Sequence, residues 1–230
     1  MSTAFLSRVT LRRDASVRAI AGLLVPQGEG HQYAAAHQLL WVLFADTPER
    51  RRDFLWRQTE AAHYMLLSAR APVDTHGLFE VETRPFAPVL SPGERLHFLL
   101  RANATVDRMT PGRPRSQRHD VVMDALRRVP PGKERAAARA QVVPRAMAAW
   151  LARQGARSGF CPDAGELLVR GCDVLRIPRQ QGQGKASFGV VDVEGELDVR
   201  DPALFVPALL RGFGRARAFG CGLMLIRRAR

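Results

Sequence analysis

Near the N-terminus Phe5, Ser7, Val9 and Leu11 alternate with Leu6, Arg8 and Thr10, and this period of two predicts a half-buried strand. A Pro/Gly loop follows at residues 26–30. Ala36, His37, Leu40, Trp41 and Phe44 then recur at i, i+3, i+4 spacing, so residues 33–45 are expected to form a helix packed on that strand. Residues 53–59 and 64–69 read as two strands joined by a short polar turn, and residues 78–86 as a further strand. Together they close a βαββαβ unit, although residues 72–76 leave little room for its second helix.

The order then starts again. Residues 95–106 alternate as a strand, and residues 144–154 read as a helix with Met147, Trp150 and Leu151 on one face. Residues 166–177 and 187–199 are strands separated by glycine-rich residues 180–184. Asp201 and Pro202 supply an N-cap and an N1 proline for a last helix, where Leu204, Phe205, Leu209 and Leu210 recur at helical spacing. A closing strand covers residues 223–227. The expected fold is α+β with tandem ferredoxin-like (βαββαβ, RRM-like) domains, an N-terminal one over residues 1–90 and a C-terminal one over residues 91–230.

Two stretches depart from that pattern. Residues 107–143 are dense in arginine and contain Pro111, Pro114, Pro130 and Pro131, which reads as a long insertion in loop form, and such loops are usually functional or disordered. Arg113, Arg115 and Arg118, with Arg127, Arg128, Arg135 and Arg139, are either RNA contacts or a solvated charge run. The second stretch follows the last helix, where Gly212, Gly214, Gly220 and Gly222 surround Arg215 and Arg217. Glycines let a backbone approach a phosphate closely and expose its N–H groups, and the arginines add charge. The alternative is a plain helix-to-strand turn.

Composition sharpens the choice of partner. The chain has 230 residues, 46% of them hydrophobic, enough for packed cores, and carries a formal charge of +13. All basic side chains except Lys133 and Lys185 are arginine, which forks onto phosphates and stacks on bases, so nucleic acid is the expected partner. Cys161, Cys172 and Cys221 are too scattered for a zinc site and odd in number, pointing to reduced thiols and a cytoplasmic location. No apolar run approaches the ~18 residues of a membrane span, so no membrane partner is expected.

The six histidines, His31, His37, His63, His76, His97 and His119, show no metal-ligand spacing, so neither a metal site nor a cofactor is expected. RNA can be cut by its own 2′-hydroxyl if a base takes its proton, an acid protonates the 5′-oxygen, and positive charge stabilises the phosphate. Histidine titrates in the right range for either proton role. His37 is the candidate, because Tyr33 lies one helical turn before it and places a hydroxyl on the same face. A satisfied core histidine is the other reading that the periodicity allows.

The run Tyr33-Ala-Ala-Ala-His37-Gln-Leu-Leu-Trp41-Val-Leu-Phe44 resembles the helix of the CasE family, the CRISPR repeat-processing endoribonucleases of type I-E (Cascade) systems. There a histidine precedes a Gln-x-Leu-Trp-x-Leu-Phe-like run. Phe5-Leu-Ser-Arg-Val-Thr-Leu11, Arg52-Asp-Phe-Leu55, Leu99-Leu-Arg-Ala-Asn103, Ala149-Trp-Leu151, Glu194-Gly-Glu-Leu197 and the terminal Gly212…Gly220-Cys-Gly-Leu223 follow in the family's order over nearly the whole chain.

The resemblance implies metal-independent cleavage of a CRISPR repeat RNA hairpin by 2′-hydroxyl attack. It also implies retention of the mature guide RNA and assembly with the other Cascade subunits. His37 takes the catalytic histidine's place. The family's tyrosine sits three residues before that histidine, whereas Tyr33 sits four before, still on the same helix face. Lys185 and Ser187 fall where relatives place a lysine and serines near the scissile phosphate, the alternative being a solvated hairpin tip. Arg101 is a candidate RNA contact or a structural ion-pair partner. A non-catalytic RNA-binding subunit of the same fold, and a structural subunit gripping a protein partner through the glycine loop, are the competing functions.

Overall fold

The computed structural model describes residues 4–14, 29–45, 52–109, 112, 114–178 and 185–229. The alternating N-terminal run forms β1 (Ala4–Leu11), which pairs antiparallel with β3 (His63–Ser68) on one side and β4 (Phe79–Phe86) on the other, while β2 (Phe54–Glu60) adds to β3. The resulting order, β2-β3-β1-β4, is the ferredoxin-like one. Helix α1 (Glu29–Trp41), continued by a 3-10 turn Val42–Phe44, covers one face. Its Leu40 and Phe44 pack with Val9, Phe54, Trp56, Tyr64 and Phe79 in one core, where each fully buried leucine or phenylalanine contributes about 1.5–3 kcal/mol.

No second helix joins β3 to β4. The Asp74 carboxylate instead accepts backbone N–H bonds from His76 (3.3 Å), Leu78 (3.2 Å) and Phe79 (2.7 Å), which closes the connection as a turn.

The second sheet repeats the order with β11 (Met224–Arg228), β5 (Arg95–Ala102), β10 (Lys185–Val199) and β9 (Leu168–Pro178); β8 (Phe160–Pro162) pairs with the end of β10. Helices α3 (Lys133–Ser158) and α4 (Pro202–Arg211) cover it through Met147, Trp150, Leu151, Phe205 and Leu209. Asp201 caps α4 as expected, accepting from the N–H groups of Ala203 and Leu204, with Pro202 in the first turn. Leu204, expected on the buried face, is 49% exposed, and Ala208 takes the inward position.

The insertion at residues 107–143 is not a long loop. It contributes to a hairpin of β6 (Thr105–Arg108) and β7 (Gln117–Asp120), then forms α2 (Val121–Leu126) and the first turns of α3. Asp120 accepts from the N–H groups of Val122 (2.9 Å) and Met123 (3.0 Å), which starts α2. Helix α3 begins at Lys133 and carries Pro144 inside it. A proline is a poor interior residue, which is why the sequence places the helix start there, but residues 133–143 are rich in alanine, with Lys, Arg, Glu and Gln among the rest, and sustain the helix ahead of it. Among the described residues no helix is long and apolar enough to cross a membrane.

Candidate active site

Helix α1 lies against β9 and against a 3-10 turn, Arg217–Phe219, in the terminal glycine loop. One helix of the first unit therefore faces two elements of the second. His37, half-buried on α1, stacks beside two rings that touch each other: Trp41 one turn later (ring centroids 6.3 Å, 22° between planes) and Phe54 of β2 (6.2 Å, 29°), themselves 5.4 Å apart. Its Nε2 is buried without a hydrogen-bond partner. Burial lowers its pKa from the ordinary histidine value, and the nearby Arg52 charge lowers it further, which favours the neutral imidazole.

Arg52 has a buried Nη1 with no partner. Its pKa is also lowered, first by burial and then by Arg217. Arg217 is turned inward, donating from Nε to the Gly214 carbonyl (3.3 Å) and from Nη2 to the Gly212 carbonyl (3.1 Å). Burial depresses its pKa too, followed by the charges of Arg211 and Arg215. A histidine is thus set beside a run of mutually repelling guanidiniums, an environment that stabilises added negative charge.

The terminal loop owes its path to glycine. Gly214 has φ +76°, and a Cβ there would lie 2.7 Å from the Asn103 carbonyl oxygen; Gly220, at φ +75°, has the Trp56 ring 3.2 Å from where its Cβ would be. N–H groups of the loop are taken up by the loop itself and by the end of β5. Phe213 N–H donates to the Gly222 carbonyl (2.9 Å), Gly222 N–H to the Arg101 carbonyl (2.7 Å), and Arg215 N–H to the Asn103 carbonyl (3.1 Å). Arg215 keeps its side chain exposed.

Tyr33 packs with Ala34 against Leu175, Ile177, Val190 and Cys221 of the second unit. Its ring lies 6.3 Å from that of Trp56 and 5.2 Å from the Arg101 guanidinium carbon. Arg101 is drawn into an ion pair with Asp192 at 2.5 Å. Lys185 begins β10 opposite Pro178, and Ser187 is exposed on the face of β10 away from Ala186 and Phe188, which pack in the Tyr33 cluster.

Of the insertion arginines, Arg118 pairs with Asp107 at 3.2 Å across the β6–β7 hairpin, Arg115 is exposed, and Arg113 lies outside the described residues. The structure thus brings His37, Tyr33, Arg101 and Arg217 to one seam and sets Arg118 on a separate hairpin. Arg52 and Arg57, which share that seam, were not singled out by sequence reasoning. The Arg52-Asp-Phe-Leu55 match was the one signal for Arg52, and nothing in the spacing marked Arg57.

The family model described as CRISPR associated protein matches residues 4–228. The Cascade subunit CasE of Escherichia coli K12 is 29% identical over 196 residues, covering 82% of this chain and 88% of that protein. The CRISPR-associated endoribonuclease Cse3 of Thermus thermophilus is 30% identical over 157 residues, 62% of this chain and 60% of that one. Two solved structures share the fold over nearly the full length at 23% identity. Cse3 bound to a 19-nucleotide RNA superposes with a TM-score of 0.67 over 99% of both chains, and Thermus thermophilus Cse3 bound to an RNA representing a pre-cleavage complex with 0.66 over 98% and 99%. With tandem ferredoxin-like units and a family match from one end to the other, the chain belongs to the CRISPR associated protein family.

Proposed function

We propose that this protein is a cytoplasmic, metal-independent endoribonuclease that cleaves CRISPR precursor RNA at the repeat hairpin and stays bound to the guide RNA among the other Cascade subunits. The observation that carries the reading is His37, a half-buried imidazole whose neutral form is favoured by burial and by Arg52, beside an Arg52 guanidinium with a buried, unpartnered Nη1. The name of the Escherichia coli relative, 29% identical over most of both chains, supports the Cascade assignment, and that of the Thermus relative the endoribonuclease assignment.

In the mechanism this site favours, neutral His37 accepts the proton of the 2′-hydroxyl as that oxygen attacks the adjacent phosphorus. The bond from phosphorus to the 5′-oxygen breaks, and a proton is delivered to that leaving oxygen. The products are a 2′,3′-cyclic phosphate on one fragment and a 5′-hydroxyl on the other. Arg52 and Arg217 stabilise the charge that builds on the phosphoryl oxygens. Tyr33 orients the reacting groups, and Lys185 and Ser187 approach the phosphate from the β9–β10 hairpin. The exposed Arg115, Arg118 and Arg215 hold the backbone of the stem.

A gel with a labelled hairpin repeat tests the reading. Wild type is expected to cut at one position, and His37→Ala to cut roughly 10²–10⁴-fold more slowly while still shifting the hairpin. Binding without cutting by the wild type would make this a non-catalytic RNA-binding subunit of the same fold. Neither binding nor cutting would favour a structural subunit.

A further inference from the structure

The buried seam between the two units holds an ion triad that the cleavage chemistry above does not use. Arg57 comes from β2 of the first unit and Arg101 from β5 of the second. Asp192, the cross-strand neighbour of Arg101, accepts from Arg57 Nη2 on Oδ1 at 3.1 Å and from Arg101 Nη1 on Oδ2 at 2.5 Å. The three side chains are between 15% and 19% exposed. The β9–β10 ladder slips register between Asp192 and Val193, an irregularity of the kind that re-aims a side chain.

The charges of this triad do not balance. Two guanidiniums share one carboxylate, and Arg57 Nη1 and Arg101 Nε are buried with no partner. Cys221 beside them supplies no second anion, because burial pushes its thiol up to about 12. Exchanging such a triad for apolar side chains of similar volume is often neutral or stabilising, so fold stability alone gives no reason for it. What it touches is Tyr33, whose ring has the Arg101 guanidinium 5.2 Å away and the Trp56 ring at 6.3 Å. That ring precedes His37 by one turn of α1.

We infer that the Arg57–Asp192–Arg101 triad is a positioning device: it holds Arg101 over Tyr33 and so fixes the face of α1 that carries His37 against the second unit. The inference rests on His37 being the proton-transfer residue proposed above. Arg57 and Asp192 are then positioning residues that never touch RNA.

The test compares wild type with the triple variant Arg57→Met/Arg101→Met/Asp192→Leu. Its melting temperature should equal or exceed that of wild type and its hairpin affinity should stay near wild type. Its single-turnover cleavage rate at saturating hairpin should fall roughly 10²-fold, the cost of a misplacement of about 1 Å. A wild-type rate overturns the inference, and so does a loss of affinity that accounts for the whole loss of rate, which would make Arg101 an RNA contact.

Should the triple variant not fold, Arg101→Met alone leaves a balanced Arg57–Asp192 pair and can be combined with Tyr33→Leu. If the triad acts through the Tyr33 ring, the pair of substitutions slows cleavage no more than the worse single one; losses that multiply overturn it. His37→Ala run alongside separates the two levels. Full activity in that variant removes the underlying reading, whereas an inactive His37→Ala beside a fully active triad variant removes the positioning inference alone.

Discussion

The imidazole of His37 shares its half-buried pocket with the guanidinium of Arg52, and the buried polar atoms Nε2 of one and Nη1 of the other have no hydrogen-bond partner. Both groups titrate below their ordinary values, His37 through burial and then Arg52, Arg52 through burial and then Arg217. Arg52→Gln should therefore raise the His37 pKa toward its ordinary ~6.5, read from the imidazole carbon-bound proton signals in an NMR titration. Because the base must be neutral, the acid limb of the cleavage profile should move to higher pH in the same variant. A His37 titration unmoved by Arg52→Gln would show that burial alone sets it.

The same depression links His37 to stability. Its folded pKa lies below the unfolded value, so the native state resists protonation. Above ~6.5 the residue adds no pH dependence; as pH falls from there through the lowered folded pKa, stability is lost, and below that pKa the loss levels off. His37→Leu should remove this component. Denaturant midpoints at pH 7.5 and 5 should differ less in the variant than in wild type, and equal differences would place the acid sensitivity elsewhere.

The nucleophile is testable on the RNA side. Replacing the one 2′-hydroxyl next to the scissile phosphate with hydrogen should abolish cleavage while leaving hairpin binding intact, because stem contacts are spread over many phosphates and 2′-hydroxyls. Intact cleavage of that substrate would require a different nucleophile, and products bearing a 5′-phosphate would say the same.

One glycine between β6 and β7 and one in the terminal loop form a contrasting pair for stability. Gly112 and Gly214 both have positive φ, but a Cβ at Gly112 meets nothing within 4 Å, whereas at Gly214 it lies 2.7 Å from the Asn103 carbonyl oxygen. Gly112→Ala should cost about 1–2 kcal/mol for the left-handed backbone. Gly214→Ala adds a backbone collision and should cost about 3 kcal/mol or more. Equal urea midpoints for the two variants would mean that the loop moves aside freely.

The first strand and the cap of α4 were legible because each is a local signal: period-two alternation in β1, and Asp201-Pro202 ahead of an apolar run; the short strands β7 and β8 carry no such signal. Position 144 shows where local reasoning ends. A proline reads as a helix start, yet α3 runs through it from Lys133, where helix-favouring residues precede it and Ala138, Val142 and Val143 pack on the second core, and together these outweigh one missing N–H. That His37 stands on a helix one turn before Trp41 was legible from the spacing of its neighbours. Arg57 was not, since its role depends on Asp192, 135 positions away in sequence, and no periodicity encodes a contact between sheets.

Arg215 and Arg217 stand two residues apart and should behave differently. Arg215 has an exposed side chain on a backbone tied to Asn103, whereas Arg217 donates to the carbonyls of Gly212 and Gly214 and is half-buried. An exposed arginine that meets a stem phosphate releases counterions on binding. Arg215→Ala should therefore lower hairpin affinity and reduce the slope of log affinity against log salt by about one, with the melting temperature unchanged. Arg217→Ala removes two loop hydrogen bonds and a charge beside Arg52, so it should lower the melting temperature and the cleavage rate, with its salt slope changing less than that of Arg215→Ala. The Arg115→Ala/Arg118→Ala pair supplies the comparison on the β6–β7 hairpin side. Arg118 already has Asp107 as a partner at 3.2 Å, so a stem phosphate has to compete with that carboxylate. If only Arg115 meets the stem, the double variant should reduce the slope by about one rather than two. A full reduction of two would show that Arg118 leaves Asp107 for the RNA, and no reduction in either the Arg215 or the Arg115/Arg118 variant would remove the phosphate-contact account of these exposed arginines.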